Sequence, residues 1–291
     1  SDPGSENAWG KDWRCDFSVM KCCYVNNKGK KIDLMSYPYR LLTGEFFDYE
    51  WTETSYSNKI YGFERGSFEK EIKLDVFCKK AEFAGYMNAL EDTVSEDVLQ
   101  NSPGKLYVND EYLECFVKAV KKEEWEAGIY TVVTLTIISD RPFWINESKK
   151  SFYKQNEEIE KEGLNYPFNY PFDYVPGDTG TQFWELDHVG SCPFTLIVYG
   201  PVENPRILIN DHIYEVYTTL SQSEYFVLDS NKHTITKYLS NGTMENLFNS
   251  RRMEQSVFDD LEPGTLRITW PETFGFDLVI YIERSEPRWT G

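Results

Sequence analysis

Ser67-Phe68-Glu69-Lys70-Glu71-Ile72-Lys73-Leu74-Asp75-Val76-Phe77-Cys78 alternates with a period of two. Phe68, Ile72, Leu74 and Val76 share one face, Glu69, Glu71, Lys73 and Asp75 the other, and only Lys70 interrupts the apolar side. Successive side chains of a strand point to opposite faces, so this stretch predicts a half-buried strand. The pattern returns in 128–138 through Tyr130, Val132, Thr134, Thr136 and Ile138, and in 105–108 and 112–120, joined by Asn109-Asp110-Glu111. Upstream, 13–25 and 33–42 read as short strands around Asn26-Asn27-Lys28-Gly29, which has the composition of a hairpin turn. Between them and the later strands, Phe83, Met87 and Leu90 recur at helical spacing and predict a helix over 81–90. Thr93-Val94-Ser95-Glu96 has capping-box spacing and predicts a second, short helix ended by Pro103-Gly104. Residues 1–160 therefore read as a β-domain carrying the helix 81–90, with its strands closed by Ser139-Asp140-Arg141-Pro142-Phe143-Trp144.

The segment 149–163 is charged and without period, and reads as a projecting loop in preference to an exposed helix. It leads into Leu164-Asn165-Tyr166-Pro167-Phe168-Asn169-Tyr170-Pro171-Phe172-Asp173-Tyr174, where two prolines fix φ and bias Tyr166 and Tyr170 to extended conformations. Five aromatic rings in eleven residues are too apolar for a free linker. The crossover 161–180 is expected to lie along its own chain or along a neighbouring subunit. From 181 to 291 short strand-like runs recur at 194–199, 206–209, 214–218, 225–229, 234–238, 265–270 and 276–283, with Asn241-Gly242 as a hairpin signal. Such spacing argues a β-sandwich. The fold class is thus mainly β, in two domains.

At 291 residues the chain has room for two cores, and 16% aromatic content suits sheets. Forty-eight acidic against thirty basic residues give a net charge of −18, which opposes nucleic-acid binding through phosphates and would suit a surface past which nucleic acid slides. No apolar run approaches a membrane span and no signal-peptide stretch opens the chain, so a soluble protein is expected. Cys15, Cys22, Cys23, Cys78, Cys115 and Cys192 form no metal-spaced pair, and His188, His212 and His233 are scattered. Free thiols are expected, and no metal or cofactor. Gly-x-Ser-x-Gly, His-Glu-x-x-His and phosphate-loop patterns are absent, so no catalytic residue is assigned and a non-enzymatic role is expected. Asp259-Asp260 with Glu262, or Glu283 with Glu286, supply carboxylate pairs on paper, but surface charge explains them better. Trp184 and Trp270 offer flat faces for sugar rings, although Trp270 shares a strand face with Leu266 and Ile268, which favours core packing. Asn146-Glu147-Ser148 and Asn241-Gly242-Thr243 match the glycosylation acceptor pattern and read as turns.

From about Ser67 to its end the chain resembles the distal tail protein, or siphovirus tail component, of phages and prophages of Gram-positive bacteria. The resemblance rests on the order of strand, helix 81–90, hairpin 104–112 and the strand ending in Asp140-Arg141-Pro142-Phe143, then the aromatic-proline crossover. It continues through Gly190-Ser191-Cys192-Pro193-Phe194, Tyr199-Gly200-Pro201-Val202-Glu203-Asn204-Pro205, Glu224-Tyr225-Phe226-Val227-Leu228-Asp229-Ser230, Asn246-Leu247-Phe248 and Glu283-Arg284-Ser285-Glu286-Pro287-Arg288-Trp289. The match is loose over 9–66. The resemblance implies a tail-tube-like ring domain followed by a galectin-like sandwich, a homo-hexameric ring at the virion tail tip, assembled in the bacterial cytoplasm. It further implies contacts with the tail tube and with tail-associated or receptor-binding proteins, and passage of DNA through the ring without specific binding. The alternative is a carbohydrate-binding module contacting cell-wall glycans.

Overall fold

The computed structural model describes residues 20–126, 129–154 and 180–289. The aromatic crossover 164–174 and Cys15 lie outside them. Two compact units emerge, one of Ser1–Ile145 with Arg284–Gly291, the other of Asn146–Glu283. This division departs from a boundary near residue 160. The strand that opens at Trp144 enters the second unit at Asn146, and the last eight residues return to the first.

The first unit holds β1 (Cys22–Val25), β2 (Lys31–Asp33), β3 (Tyr39–Gly44), β4 (Thr52–Tyr56), β5 (Lys59–Glu64), β6 (Phe68–Phe77), α1 (Lys80–Gln100), β7 (Gly104–Val108), β8 (Glu111–Glu126), β9 (Tyr130–Ser139) and the start of β10 (Trp144–Phe152). The alternating stretch at 67–78 is β6, paired antiparallel with β3 and β9. Ile72, Leu74 and Val76 are buried, and they share a core with Leu135 and Ile137 of β9, Leu106 and Val108 of β7 and Phe83, Leu90 and Val94 of α1. On the outer face Glu69 takes Lys118 of β8 at 2.6 Å. Asp75 is the exception among its acids: it is buried, and Arg40 across the β3–β6 pair neutralises it. The long β8 serves two ladders, pairing with β9 through a bulge between Val117 and Ala119 and with β7, which passes on to β1 and β2.

One helix of 21 residues replaces the two expected ones. Thr93 does not cap a new helix. Its hydroxyl donates to the Ala89 carbonyl four residues back at 2.6 Å and its side chain is buried, so the helix runs through. Glu96, the other half of the expected box, accepts instead from Asn26 Nδ2 at 2.7 Å and pairs with Lys28. The helix stops at Asn101, whose φ of 49° is left-handed, the conformation that commonly ends helices.

The second unit holds the rest of β10, then β11 (Gly180–Leu186), β12 (Phe194–Tyr199), β13 (Val202–Glu203), β14 (Arg206–Ile209), β15 (His212–Glu215), β16 (Thr219–Leu220), β17 (Tyr225–Asp229), β18 (Thr234–Tyr238), β19 (Met244–Asn246), β20 (Gly264–Trp270) and β21 (Phe276–Arg284), which leaves it after Glu283. One sheet runs β19-β18-β17-β12-β21 with β10 beside β21, and the other runs β11-β20-β14-β15. Phe194, Leu196, Phe226, Leu278 and Ile280 of the first meet Ile207, Ile209, Leu266, Ile268 and Trp270 of the second in one apolar core. This is the expected sandwich. Asn241-Gly242 turns β18 into β19, with Gly242 at φ 83° and Thr243 donating twice to Asn241 Oδ1. The other acceptor pattern, Asn146-Glu147-Ser148, is not a turn: it lies within β10, as do Lys149–Phe152 of the expected loop. Buried Trp144 and Ile145 at one end and Phe152 at the other hold this polar segment extended, and Lys149 reaches Asp277 of β21 at 2.7 Å. Residues 155–163 of that loop lie outside the described residues.

Candidate interaction surface

The first unit carries a two-stranded sheet, β4 and β5, that joins no other strand among the described residues. Ser57 and Asn58, at φ 51° and 61°, make the doubly left-handed two-residue turn that suits the twist of a hairpin. Every residue of β4 is exposed, and all of β5 except Gly62. Within residues 49–63, Tyr49, Trp51, Tyr56, Ile60, Tyr61 and Phe63 are large apolar side chains open to solvent, Tyr56 at 77% and Tyr61 at 69%. Pairing of Glu53 with Phe63 and of Ser55 with Ile60 puts Ile60 and Phe63 on one face, and the bulge at this point leaves Tyr61 without a cross-strand partner.

The root of the hairpin is fixed. Arg65 lies over Phe143, Trp51 and Tyr49, with its guanidinium carbon 5.1, 5.5 and 5.7 Å from the ring centres. Its Nη1 is buried with no hydrogen-bond partner, so ring faces take the place of acceptors. The result is an anchored projection with an uncovered blade.

Elsewhere on the first unit a groove of about 550 Å³ is lined by Met35, Tyr37, Pro38, Arg40, Phe77 and Tyr130, with Tyr39 and Asp75 completing it. Tyr37 is 60% and Phe77 64% exposed. Its rim includes the edge strand β3, which pairs with β6 alone among the described strands. Tyr37 is held by a hydroxyl donation to Glu82 at 2.8 Å and by an edge-on contact with Tyr86.

The residues considered for chemistry do not converge. Trp270 is 1% exposed, its indole N–H donates to the Phe274 carbonyl at 3.2 Å, and Phe152 and Phe276 meet it edge-on, so it cannot present a face to a sugar. Trp184 packs half-buried against the same core. Asp259, Asp260 and Glu262 are exposed, while Glu283 and Glu286 fall in different units. Among the described residues no cluster of His, Cys, Asp and Glu could hold a metal ion, and the five described cysteines are free thiols. Cys192 Sγ does approach His188 Nδ1 to 3.1 Å, the geometry of a nucleophile and its base. Burial, however, pushes that thiol up to about 12, and the imidazole is occupied by the Glu283 carbonyl at 2.8 Å and the Gly190 backbone. The pair ties down a loop. In the second unit, His233 stacks on Phe258 and Arg251 on Phe248 around a groove of about 310 Å³, a feature absent from the sequence reading. The hairpin also escaped that reading, although Ser57-Asn58 between Thr- and aromatic-rich runs is a weak hairpin signal.

No protein-family model and no curated protein matches the chain. Solved structures do. A chain of the phage P2 baseplate in its activated conformation with Ca aligns over 92% of this chain and all of its own length, at a TM-score of 0.61 and 16% identity. The strontium form of the activated p2 baseplate gives 0.59 and 17% with the same coverage. The SPP1 Dit protein, described as a paradigm of the hub adsorption apparatus in phages infecting Gram-positive hosts, gives 0.57 and 10% over 91% of this chain and 99% of that one. The chain therefore has the fold of phage baseplate and Dit hub proteins, and that likeness spans nearly all of it.

Proposed function

We propose that this protein is a structural hub subunit of a phage or prophage tail, one that forms a ring joining the tail tube to the adsorption or tail-associated proteins. The observation that carries this reading is the shared fold over nine-tenths of the chain, covering both units, with a baseplate subunit and a Dit hub protein. The anchored but uncovered hairpin supports it, because a surface of that kind belongs in an assembly. Six copies around an open centre, a place at the virion tail tip and assembly in the bacterial cytoplasm complete the proposal. The net charge of −18 would let DNA pass the ring without adhering. The role is one of connection and not of catalysis.

The native mass of the full chain over a concentration series, with electron micrographs of any large species, tests it. A six-fold ring with an open centre is the expected result. A protein that stays monomeric at every concentration, alone and with a tail-tube protein added, overturns the ring.

A further inference from the structure

We propose that the hairpin β4–β5 of one copy seats in the groove at Met35, Tyr37 and Phe77 of the next copy, making the contact that closes the ring head to tail. This rests on the ring reading above and names the surfaces it would use.

A lone two-stranded hairpin is marginal in water, yet this one carries four large apolar side chains, Tyr56, Ile60, Tyr61 and Phe63, at 59–77% exposure. Arg65 with its three rings, and Lys70 donating to the Glu45 and Asp48 carbonyls, hold the hairpin root and leave the blade exposed among the described residues. The groove has the matching deficiency, with Tyr37, Phe77 and Met35 exposed around a hollow of about 550 Å³. Donor and acceptor are different patches on the same unit, and such a pair generates a heterologous contact, which closes into a ring when the rotation per copy divides a full turn.

The ring reading makes a second copy the occupant, and the charge pattern leaves these two surfaces free to meet. Copies at −18 repel one another wherever their ordinary surfaces meet. Between Glu53 and Glu64 the hairpin's single charge is Lys59 at its tip, so the blade carries no carboxylate to repel an acidic neighbour. In the groove the one carboxylate, Asp75, is already neutralised by Arg40. These are surfaces on which two acidic copies can meet. The open edge of β3 at the groove rim and the open edges of the hairpin add backbone groups that pairing would satisfy.

The test uses the full chain in three forms, followed by light scattering and by thermal unfolding to verify the fold. Ile60→Glu with Phe63→Glu alters the donor, and Phe77→Glu alters the acceptor; each site is exposed, so each variant is expected to melt as the parent does. Both are expected to weaken self-association by roughly tenfold or more. In a second measurement, protein carrying Ile60→Cys is mixed with protein carrying Phe77→Cys under mild oxidation. A disulfide-linked dimer from the mixture, and none from either variant alone, is the expected result. Donor and acceptor variants that keep the parent's oligomeric mass, with no cross-link in the mixture, overturn the hairpin contact and leave the ring reading in place. A parent that is monomeric throughout overturns the ring reading, and the hairpin contact with it.

Discussion

Tyr24 donates its hydroxyl to Asp97 Oδ2 at 2.6 Å, joining β1 to the last turns of α1 with both residues buried. The other carboxylate oxygen accepts the Asn27 amide at 2.8 Å. Burial, with the neighbouring carboxylate, holds the Tyr24 phenol well above its ordinary pKa, so it stays a donor at any working pH. One carboxylate thus fixes the helix end and the hairpin turn together.

Asp97→Ala leaves the buried Tyr24 hydroxyl and the half-buried Asn27 amide without their acceptor and is expected to destabilise the first unit by about 2–4 kcal/mol, read from its denaturant transition. Gly104→Ala should damage the same point, since a Cβ there would sit 2.4 Å from both Asp97 Oδ2 and the Tyr24 hydroxyl. Its cost, about 1–3 kcal/mol, should shrink in the Asp97→Ala background, where one of the two crowding groups is gone and the Tyr24 ring is freed to shift. Full additivity of the two changes would show that they do not share this contact.

Arg65 anchors the β4–β5 hairpin through ring faces, so Arg65→Ala is expected to loosen the hairpin and not the core. Amide exchange within 52–64 should accelerate by about five- to thirtyfold, which corresponds to losing roughly 1–2 kcal/mol of stacking. The melting of the first unit should move little. Arg65→Lys keeps the charge and loses the planar stack, so exchange should fall between the two. Unchanged protection in Arg65→Ala would place the anchor elsewhere.

How much of this was readable from sequence depended on whether local pattern or distant partners decided the outcome. The period of two in β6 was readable because one side lies against the core and the other is mostly charged. β9 was readable as a strand but not by face: both its sides are buried, and Val133, Leu135 and Ile137, not the series from Tyr130 to Ile138, enter the core. Asn241-Gly242 was readable because its turn is local chemistry. Thr93 misled because a threonine hydroxyl can serve a helix start or the carbonyl one turn back, and the buried setting among Leu90 and Val94 chose the second. Asn146–Ser148 misled because buried residues on either side, not its own composition, hold it extended. The interaction surface was the least legible. Tyr37 and Phe77 are 40 residues apart in sequence and acquire meaning only when β3 and β6 set them around one groove, and the rings caging Arg65 come from both Trp51 and Phe143.

Glu224 and Lys237 form a nearly enclosed ion pair in the second unit, 3.3 Å apart with side chains 9% and 11% exposed. The Ser221 amide, which donates to the carboxylate at 2.9 Å, and the Lys237 ammonium hold the Glu224 carboxyl below its usual range. A carboxyl whose folded pKa is depressed stabilises the fold above its unfolded pKa, and that contribution disappears as pH falls through the folded value. The second unit is therefore expected to lose stability as pH drops below the usual glutamate range near 4.5. Glu224→Gln should lower its melting temperature at neutral pH and flatten the acid limb. An acid limb with the parent's slope in Glu224→Gln would assign that pH dependence to other carboxylates.

Trp270 decides between a packed sandwich and one that offers an aromatic platform to ligands. Its ring sits edge-on to Phe152 and Phe276 at 5.4 Å each, so the rings from β20, β10 and β21 form one buried cluster. Trp270→Ala removes the largest fully buried side chain and is expected to destabilise the second unit by about 3–5 kcal/mol, or to prevent its folding. Trp270→Phe keeps most of the volume but leaves the Phe274 carbonyl without its donor, and should cost about 1–2 kcal/mol. Trp184→Ala, at a half-buried site on β11, should cost less than Trp270→Ala. The ordering of these three melting temperatures is the measurement. A Trp270→Ala protein as stable as its parent would mean that the indole lies outside the core, and would return it to the surface as a candidate for stacking on a ligand.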